Sequence, residues 1–295
     1  MFADDVCVVP RLFLTFEWSA GDNRRLGNLM FVFAATVGIA AQNNMTPIID
    51  RSSSLVDAFH IVELIVDNMD NALLASSVVN YREQRASTYE ASTRHLLLSL
   101  GRTQRPTNVR ICCYLQSWRY FDQSADRVRR NFRFREPVAD AADAFIAASS
   151  SGSDSGKTRV GVHVRHGYAS DAYKGGYIVA PLQYLRSAMR YFTDRYRHVE
   201  FVVCSDNITW CRENLPTAVD FASGARMKFS LANSPEVDLA ILARCDHVIM
   251  SVGTFSWWAA WLANGTAIYY ADWPAPSSLL AFQSDYFPPH WIGMR

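Results

Sequence analysis

From Arg159 onward, four apolar runs alternate with longer segments of helical character, and this alternation restricts the fold more than any other feature of the chain. The runs are 159–164 (RVGVHV), 199–204 (VEFVVC), 247–252 (HVIMSV) and 267–271 (AIYYA). Strands separated by helices in this way pair in parallel, each connection crossing one face of the sheet. Pro181 stands where a helix over 181–197 begins, and Ser234-Pro235 opens another with a capping serine and a tolerated first-turn proline.

The N-terminal part reads less regularly. Residues 12–18 (LFLTFEW) form a predicted strand, 19–28 a loop, 29–42 an apolar helix and 46–50 (TPIID) a second strand. From Leu55 to about Ala148 the pattern is mostly helical, apart from a short apolar run over Val109–Leu115. Ser149–Gly156 (SSSGSDSG) has linker composition and sets the expected boundary between units 1–150 and 151–295. A chain of 295 residues with 49% apolar content has material for two cores of ordinary size.

Charge narrows the partners. Lys+Arg 29 against Asp+Glu 28 leaves a net +1, so no general cationic field holds a nucleic acid, and any phosphate site must be local. The uncharged stretch Leu29–Ala41 falls short of the roughly 20 residues that cross a bilayer, and no secretory signal pattern precedes it. The cysteines (Cys7, Cys112, Cys113, Cys204, Cys211, Cys245) carry no CxxC pair or Cys/His cluster, so no structural metal is expected and no disulfide is assigned. Asn44, Asn207 and Asn264 head glycosylation sequons, usable only in a secretory lumen.

Two segments carry chemistry. In Val160-Gly-Val-His-Val-Arg-His-Gly167 a strand runs into a polar loop, placing His163 and Arg165 on one face while Val162 and Val164 enter the core. Open α/β sheets bind ligands beyond the carboxyl ends of their strands, where a guanidinium grips phosphate oxygens in pairs. After HVIMSV, the turn holding Ser251, Gly253, Thr254 and Phe255 opens a helix whose first N–H groups suit an anion. Trp257, Trp258 and Trp261 follow at helical spacing and are expected in the core. No GxGxxG follows a strand, which argues against a dinucleotide-dependent dehydrogenase.

VGVHVRHG at 160–167 and DLAILARCDHVIMSVGTFSWWAAWL at 238–262 resemble the two principal motifs of glycosyltransferase family eleven, the galactoside α1,2-fucosyltransferase family. RRLGN at 24–28 resembles its N-terminal motif, and LQSW (115–118) and WCREN (210–214) extend the likeness. The resemblance implies a GT-B-like α/β fold of two Rossmann-like domains, with the C-terminal one holding GDP-β-L-fucose. It also implies inverting transfer to a terminal galactoside hydroxyl to give an α1,2 linkage. His163, Arg165, Asp238, Ser251, Gly253, Thr254 and Phe255 are then the expected donor-binding residues, with Arg25, Gly27 and Asn28 near the cleft.

Arg165, His166 and Asp171 are the expected catalytic residues, and Glu17 is a further candidate base. The family commonly reads His-x-Arg-Arg-Gly-Asp, whereas this chain has His166 at the second arginine and Tyr168 at the acid, with Asp171 as a substitute carboxylate. Because a histidine's charge varies between about pH 5 and 8, donor affinity at His166 would depend on pH. No Asp-x-Asp is present, so metal-independent transfer without a cofactor is expected. Golgi residence and an N-terminal membrane anchor are expected from the family, although no such helix stands in the sequence. Two other readings remain open: a pseudoenzyme that binds a nucleotide sugar without turnover, and fucosyl transfer to a different acceptor.

Overall fold

A computed structural model describes residues 12–17, 25–69, 77–101, 107–148, 156–167, 178–218, 225–231, 233–275 and 282–295. Two parallel sheets organise them. In the first, β1 (Phe13–Phe16), β2 (Thr46–Asp50), β3 (Leu64–Val66), β4 (Ser77–Arg82) and β5 (Thr107–Cys112) lie in the order β3-β2-β1-β5-β4. In the second, β6 (Thr158–Val164), β7 (Val199–Ser205), β8 (Arg226–Phe229), β9 (His247–Met250), β10 (Ala267–Tyr270) and β11 (Ile292–Met294) lie in the order β11-β10-β9-β6-β7-β8. Every neighbouring pair is parallel; β6 sits with Val162 opposite Val203 on one side and Ile249 on the other.

The second sheet reverses its direction of strand order once, between β9 and β6; in the first, β2 and β3 lie on one side of β1 and β5 and β4 on the other, so the changeover falls between β1 and β5. At such points the connections diverge to opposite faces and leave a crevice beyond the strand ends, where α/β proteins bind ligands.

The helix Leu26–Gln42 has no charged residue and is buried nearly all round, which fits an element sandwiched between layers rather than an amphipathic one. Thr36 satisfies its hydroxyl by donating to the Val32 carbonyl at 2.7 Å. Asn43 ends the helix: its Nδ2 donates to the carbonyls of Ile39 and Thr93, its Oδ1 accepts from Leu96 N, and Asn44 follows in the left-handed region at φ 51°. The helix Gly253–Ala263 packs against it, bringing Phe31 to 4.6 Å from Trp257 and 5.1 Å from Trp258 between ring centroids. Trp257 and Trp258 are fully buried, so one apolar cluster runs from Leu14 to Trp291 and serves both sheets. A second cluster, of Val160, Val162 and Val164 with Tyr184, Leu185 and Met189, covers the opposite face of the second sheet.

The structure corrects several sequence boundaries. The first helix starts at Leu26, so Gly27 and Asn28 lie in its first turn and not in a loop. The stretch read as mostly helical holds β3 and β4, edge or near-edge strands whose side chains are largely exposed and so lack an apolar signature. β5 ends at Cys112, not Leu115. Pro181 is the N-cap of a helix over Leu182–Thr193, outside its first turn. β8 and β11, each of four residues or fewer at a sheet edge, were not anticipated. Of the expected linker, 149–155 lie outside the described residues.

Candidate functional site

The two crevices open onto one cavity of about 650 Å³, lined from the first sheet's side by Arg25, Gly27, Asn28, Tyr114 and Gln116 and from the second by His163, Arg165, Asp206, Asp238, Gly253, Thr254 and Phe255.

Arg165 is built in from three directions. Its backbone N–H donates to Ser251 Oγ at 2.8 Å, tying the end of β6 to the end of β9. Its Nη1 lies 2.9 Å from Asp206 Oδ2, and the two side chains are only 23% and 24% exposed. Asp206 also accepts from His166 N at 2.8 Å and Gly167 N at 3.0 Å, so the loop after β6 wraps around one carboxylate. A Cβ at Gly167 would stand 2.6 Å from Asp206 Oδ2, so a larger residue would displace that carboxylate. A guanidinium fixed in this way meets a phosphate without first being ordered.

His163 is buried, its ring 4.8 Å from that of Phe255. Its Nδ1 lies 2.5 Å from Ser256 Oγ, and that hydroxyl donates to the Val252 carbonyl at 3.2 Å. A hydroxyl has one proton, so Ser256 accepts from His163 Nδ1–H, and Nε2 is left as the lone-pair nitrogen. Burial lowers the imidazole from 6.5 to about 4, with nearby Arg165 adding to the fall against the opposing field of Asp206. The unfolded chain takes up this proton first as pH drops. The stability contributed by the neutral ring is therefore complete above about 6.5 and is lost as pH falls toward 4, amounting to about 3 kcal/mol. Urea unfolding of wild type and His163→Asn at pH 7 and pH 4 is expected to show the gap between them narrowing by about that amount; a constant gap would mean that His163 takes up its proton in the fold as readily as in the unfolded chain.

The N-termini of Leu26–Gln42 and Gly253–Ala263 both reach the cavity, and neither N-cap side chain (Arg25, Val252) makes a capping hydrogen bond. Their first N–H groups and aligned dipoles favour an anion. Gly253 has φ +86°, a conformation that glycine adopts without strain. The two ends are tied by Asn28, whose Oδ1 accepts from Thr254 Oγ1 at 2.8 Å and from Gln116 Nε2 at 3.0 Å. With its oxygen taken twice, the Asn28 amide offers N–H donors. Ser87 Oγ donates to Gln116 Oε1 at 2.9 Å and completes a neutral relay across the cleft.

Of the residues singled out from sequence, His163, Arg165, Asp238, Gly253, Thr254, Phe255, Arg25, Gly27 and Asn28 line the cavity. Ser251 does not: its hydroxyl holds the Arg165 backbone. His166 also stands off the cavity wall, stacked on Trp210 at 4.5 Å with its Nδ1 3.4 Å from Asn207 Nδ2. Glu17 is exposed at the end of β1 and does not line the cavity; Tyr168 and Asp171 lie outside the described residues. Asp238 accepts from Ser230 Oγ at 2.5 Å, and burial raises its pKa while hydrogen bonds from Ser230 and Asn233 oppose the rise. Asp206, Ser256, Gln116 and Tyr114 were missed. Asp206 had a signal: it follows the apolar run VEFVVC, as Arg165 follows RVGVHV.

Comparison with known proteins places this geometry in a family. The profile of glycosyl transferase family 11 matches residues 94–295. Human galactoside α-(1,2)-fucosyltransferase 1 is 29% identical over 294 residues, covering 96% of this chain and 76% of the relative. Galactoside α-(1,2)-fucosyltransferase 2 of Sus scrofa is 31% identical over 290 residues, covering 94% and 80%. Among solved structures, NodZ α-1,6-fucosyltransferase soaked with GDP-fucose superposes with TM-score 0.56 at 18% identity, over 86% of this chain and 93% of that one. A mutant of Arabidopsis thaliana FUT1 in complex with GDP gives 0.58 at 13%, over 88% and 70%. The fold is thus of the GT-B type, two parallel α/β units facing one cleft. The chain belongs to glycosyl transferase family 11.

Proposed function

We propose that this glycosyltransferase moves L-fucose from GDP-β-L-fucose to a hydroxyl of a terminal galactoside, inverting the anomeric centre to give an α1,2 linkage. The observation that carries the reading is the convergence of Arg165 and two helix N-termini without side-chain caps on one cavity, in a chain whose family-11 relatives are galactoside α-(1,2)-fucosyltransferases. A nucleoside diphosphate is the anion such a site is shaped to hold.

In this reading the diphosphate lies against Arg165 and the first turn of Gly253–Ala263, with Arg25 adding positive charge. As the bond from fucose C1 to the phosphate oxygen lengthens, negative charge grows on that oxygen, and Arg165 and the N–H groups stabilise it most at the transition state. The acceptor hydroxyl attacks C1 from the opposite face as the C1–O bond to phosphate breaks; GDP leaves with the bonding pair, and the hydroxyl proton is released to solvent on the acceptor side. No metal enters this scheme.

Asp238 is the proposed partner of guanine N1–H and N2–H, a pair of donors that suits one carboxylate. Asp238→Asn is expected to weaken GDP binding by about 1–3 kcal/mol and to reduce its preference over ADP, read by calorimetry with both nucleotides. Unchanged discrimination would remove Asp238 from the base site.

The decisive assay supplies GDP-fucose and a β-galactoside, without added metal, and follows GDP release, product mass and linkage. GDP-fucose binding with no product would support a second reading, a binding protein without turnover; His166, at the family's second arginine, sits off the cavity wall against Trp210. A product of other linkage would overturn the acceptor assignment. The Golgi lumen is the proposed setting. There, the exposed Asn44 and Asn264 are the accessible sequons, whereas the Asn207 side chain caps the helix Ile208–Asn214.

A further inference from the structure

The changeover in the first sheet, between β1 and β5, has a wall of its own. Beyond β5 the chain passes through Cys113 at φ 83° and Leu115 at φ 47°, and facing them Ser87 sits at φ 50°. None of the three is glycine, and L side chains are strained in that region. Strain of this kind persists only where the surroundings enforce it. The buried Glu83 does so: its Oε1 accepts from Tyr114 N and its Oε2 from Leu115 N, both at 3.0 Å. Ser87 is secured through Gln116, which in turn is tied to Asn28.

The consequence is local. Leu115 points into the core and is fully buried, while its neighbour Tyr114 is 38% exposed on the cavity wall. A strained loop clamped by a buried carboxylate therefore holds one aromatic ring out into the cleft, across from Arg165 and the Gly253–Ala263 N-terminus.

We propose that Tyr114 is the floor of the acceptor subsite, taking the apolar C–H face of a terminal hexopyranoside, with Ser87, Gln116 and Ser54 around it to meet the sugar's hydroxyls. The assignment rests on the fucosyl-transfer reading above and adds where its acceptor sits. An aromatic ring binds a sugar through ring C–H groups without fixing which hydroxyl reacts. Asn28 Oδ1, which accepts from both Thr254 Oγ1 and Gln116 Nε2, ties the segment that follows Tyr114 to the first turn of Gly253–Ala263, and Tyr114 lines the same cavity.

The test separates the two substrates. Tyr114→Ala is expected to raise the KM for a β-galactoside on the order of tenfold while leaving the Kd for GDP within about twofold. Tyr114→Phe, which keeps the ring, restores the galactoside KM to within about threefold. Glu83→Gln replaces one acceptor oxygen by an N–H₂ that cannot receive a backbone N–H, and is expected to raise the galactoside KM without changing GDP affinity. A galactoside KM unchanged in Tyr114→Ala overturns the proposal, as does a weakened GDP Kd, which would put the ring against the nucleotide. Wild-type turnover is measured first: its absence sinks the fucosyl-transfer reading alone. Saturation-transfer NMR of the galactoside on the GDP-bound wild type and Tyr114→Ala then decides the subsite directly, with loss of signal in the variant expected and equal signals refuting it.

Discussion

Gly27→Ala is expected to abolish GDP binding and to lower stability by about 2–5 kcal/mol. A Cβ at this position would stand 2.7 Å from Thr254 Oγ1, 2.8 Å from Thr254 C and 2.9 Å from Phe255 N. Two of these are backbone atoms in the first turn of a helix, so no rotamer change relieves the clash. The two N-termini must move apart, and the Trp258 Nε1 bond to the Gly27 carbonyl, 3.0 Å long in the fold, breaks with them. The indole donor is then buried without an acceptor, a cost of about 1–3 kcal/mol beyond the overpacking itself. Chemical unfolding and GDP calorimetry check both parts. Wild-type values for both would show that the helices are not pressed together at Gly27.

Arg165→Ala is expected to cut kcat by about 10²–10³ and to weaken GDP binding, with little change in melting temperature. The deletion removes the guanidinium and also leaves Asp206, its ion-pair partner, as an uncompensated carboxylate facing the diphosphate. Arg165→Lys keeps the charge but loses the planar fork, and falls between wild type and alanine. Steady-state kinetics with GDP calorimetry and a thermal melt distinguish these outcomes. An alanine variant that folds normally and keeps wild-type kcat would sink the phosphate assignment.

The elements legible in the sequence are those whose physics is local. β6, β7 and β9 are buried on both faces, so each is a nearly continuous apolar run, and the residues after them stand at the strand ends as the sheet rule requires. β3 was not legible because its short edge position leaves Leu64 42% exposed and gives no burial pattern to read. Gly27-Asn28 looks like turn chemistry in isolation; both residues lie in the first turn of a helix, and the glycine admits the close approach of Thr254 and Phe255, which are far away in sequence. Ser251 was correctly located but misassigned: sequence placed it at the strand end, and only the distance to Arg165 N shows what its hydroxyl does. Tyr114 was invisible for a different reason, since left-handed Cys113 and Leu115 carry no residue type that announces that conformation.

The aromatic seam between the two helices also bears on how substrates come and go. Swinging the two sheets apart would carry Phe31, Trp257 and Trp258 from full burial into water, at about 2–3 kcal/mol for each side chain. A hinge opened that far would be a rare excursion. Rearrangements confined to the cleft mouth leave that seam closed.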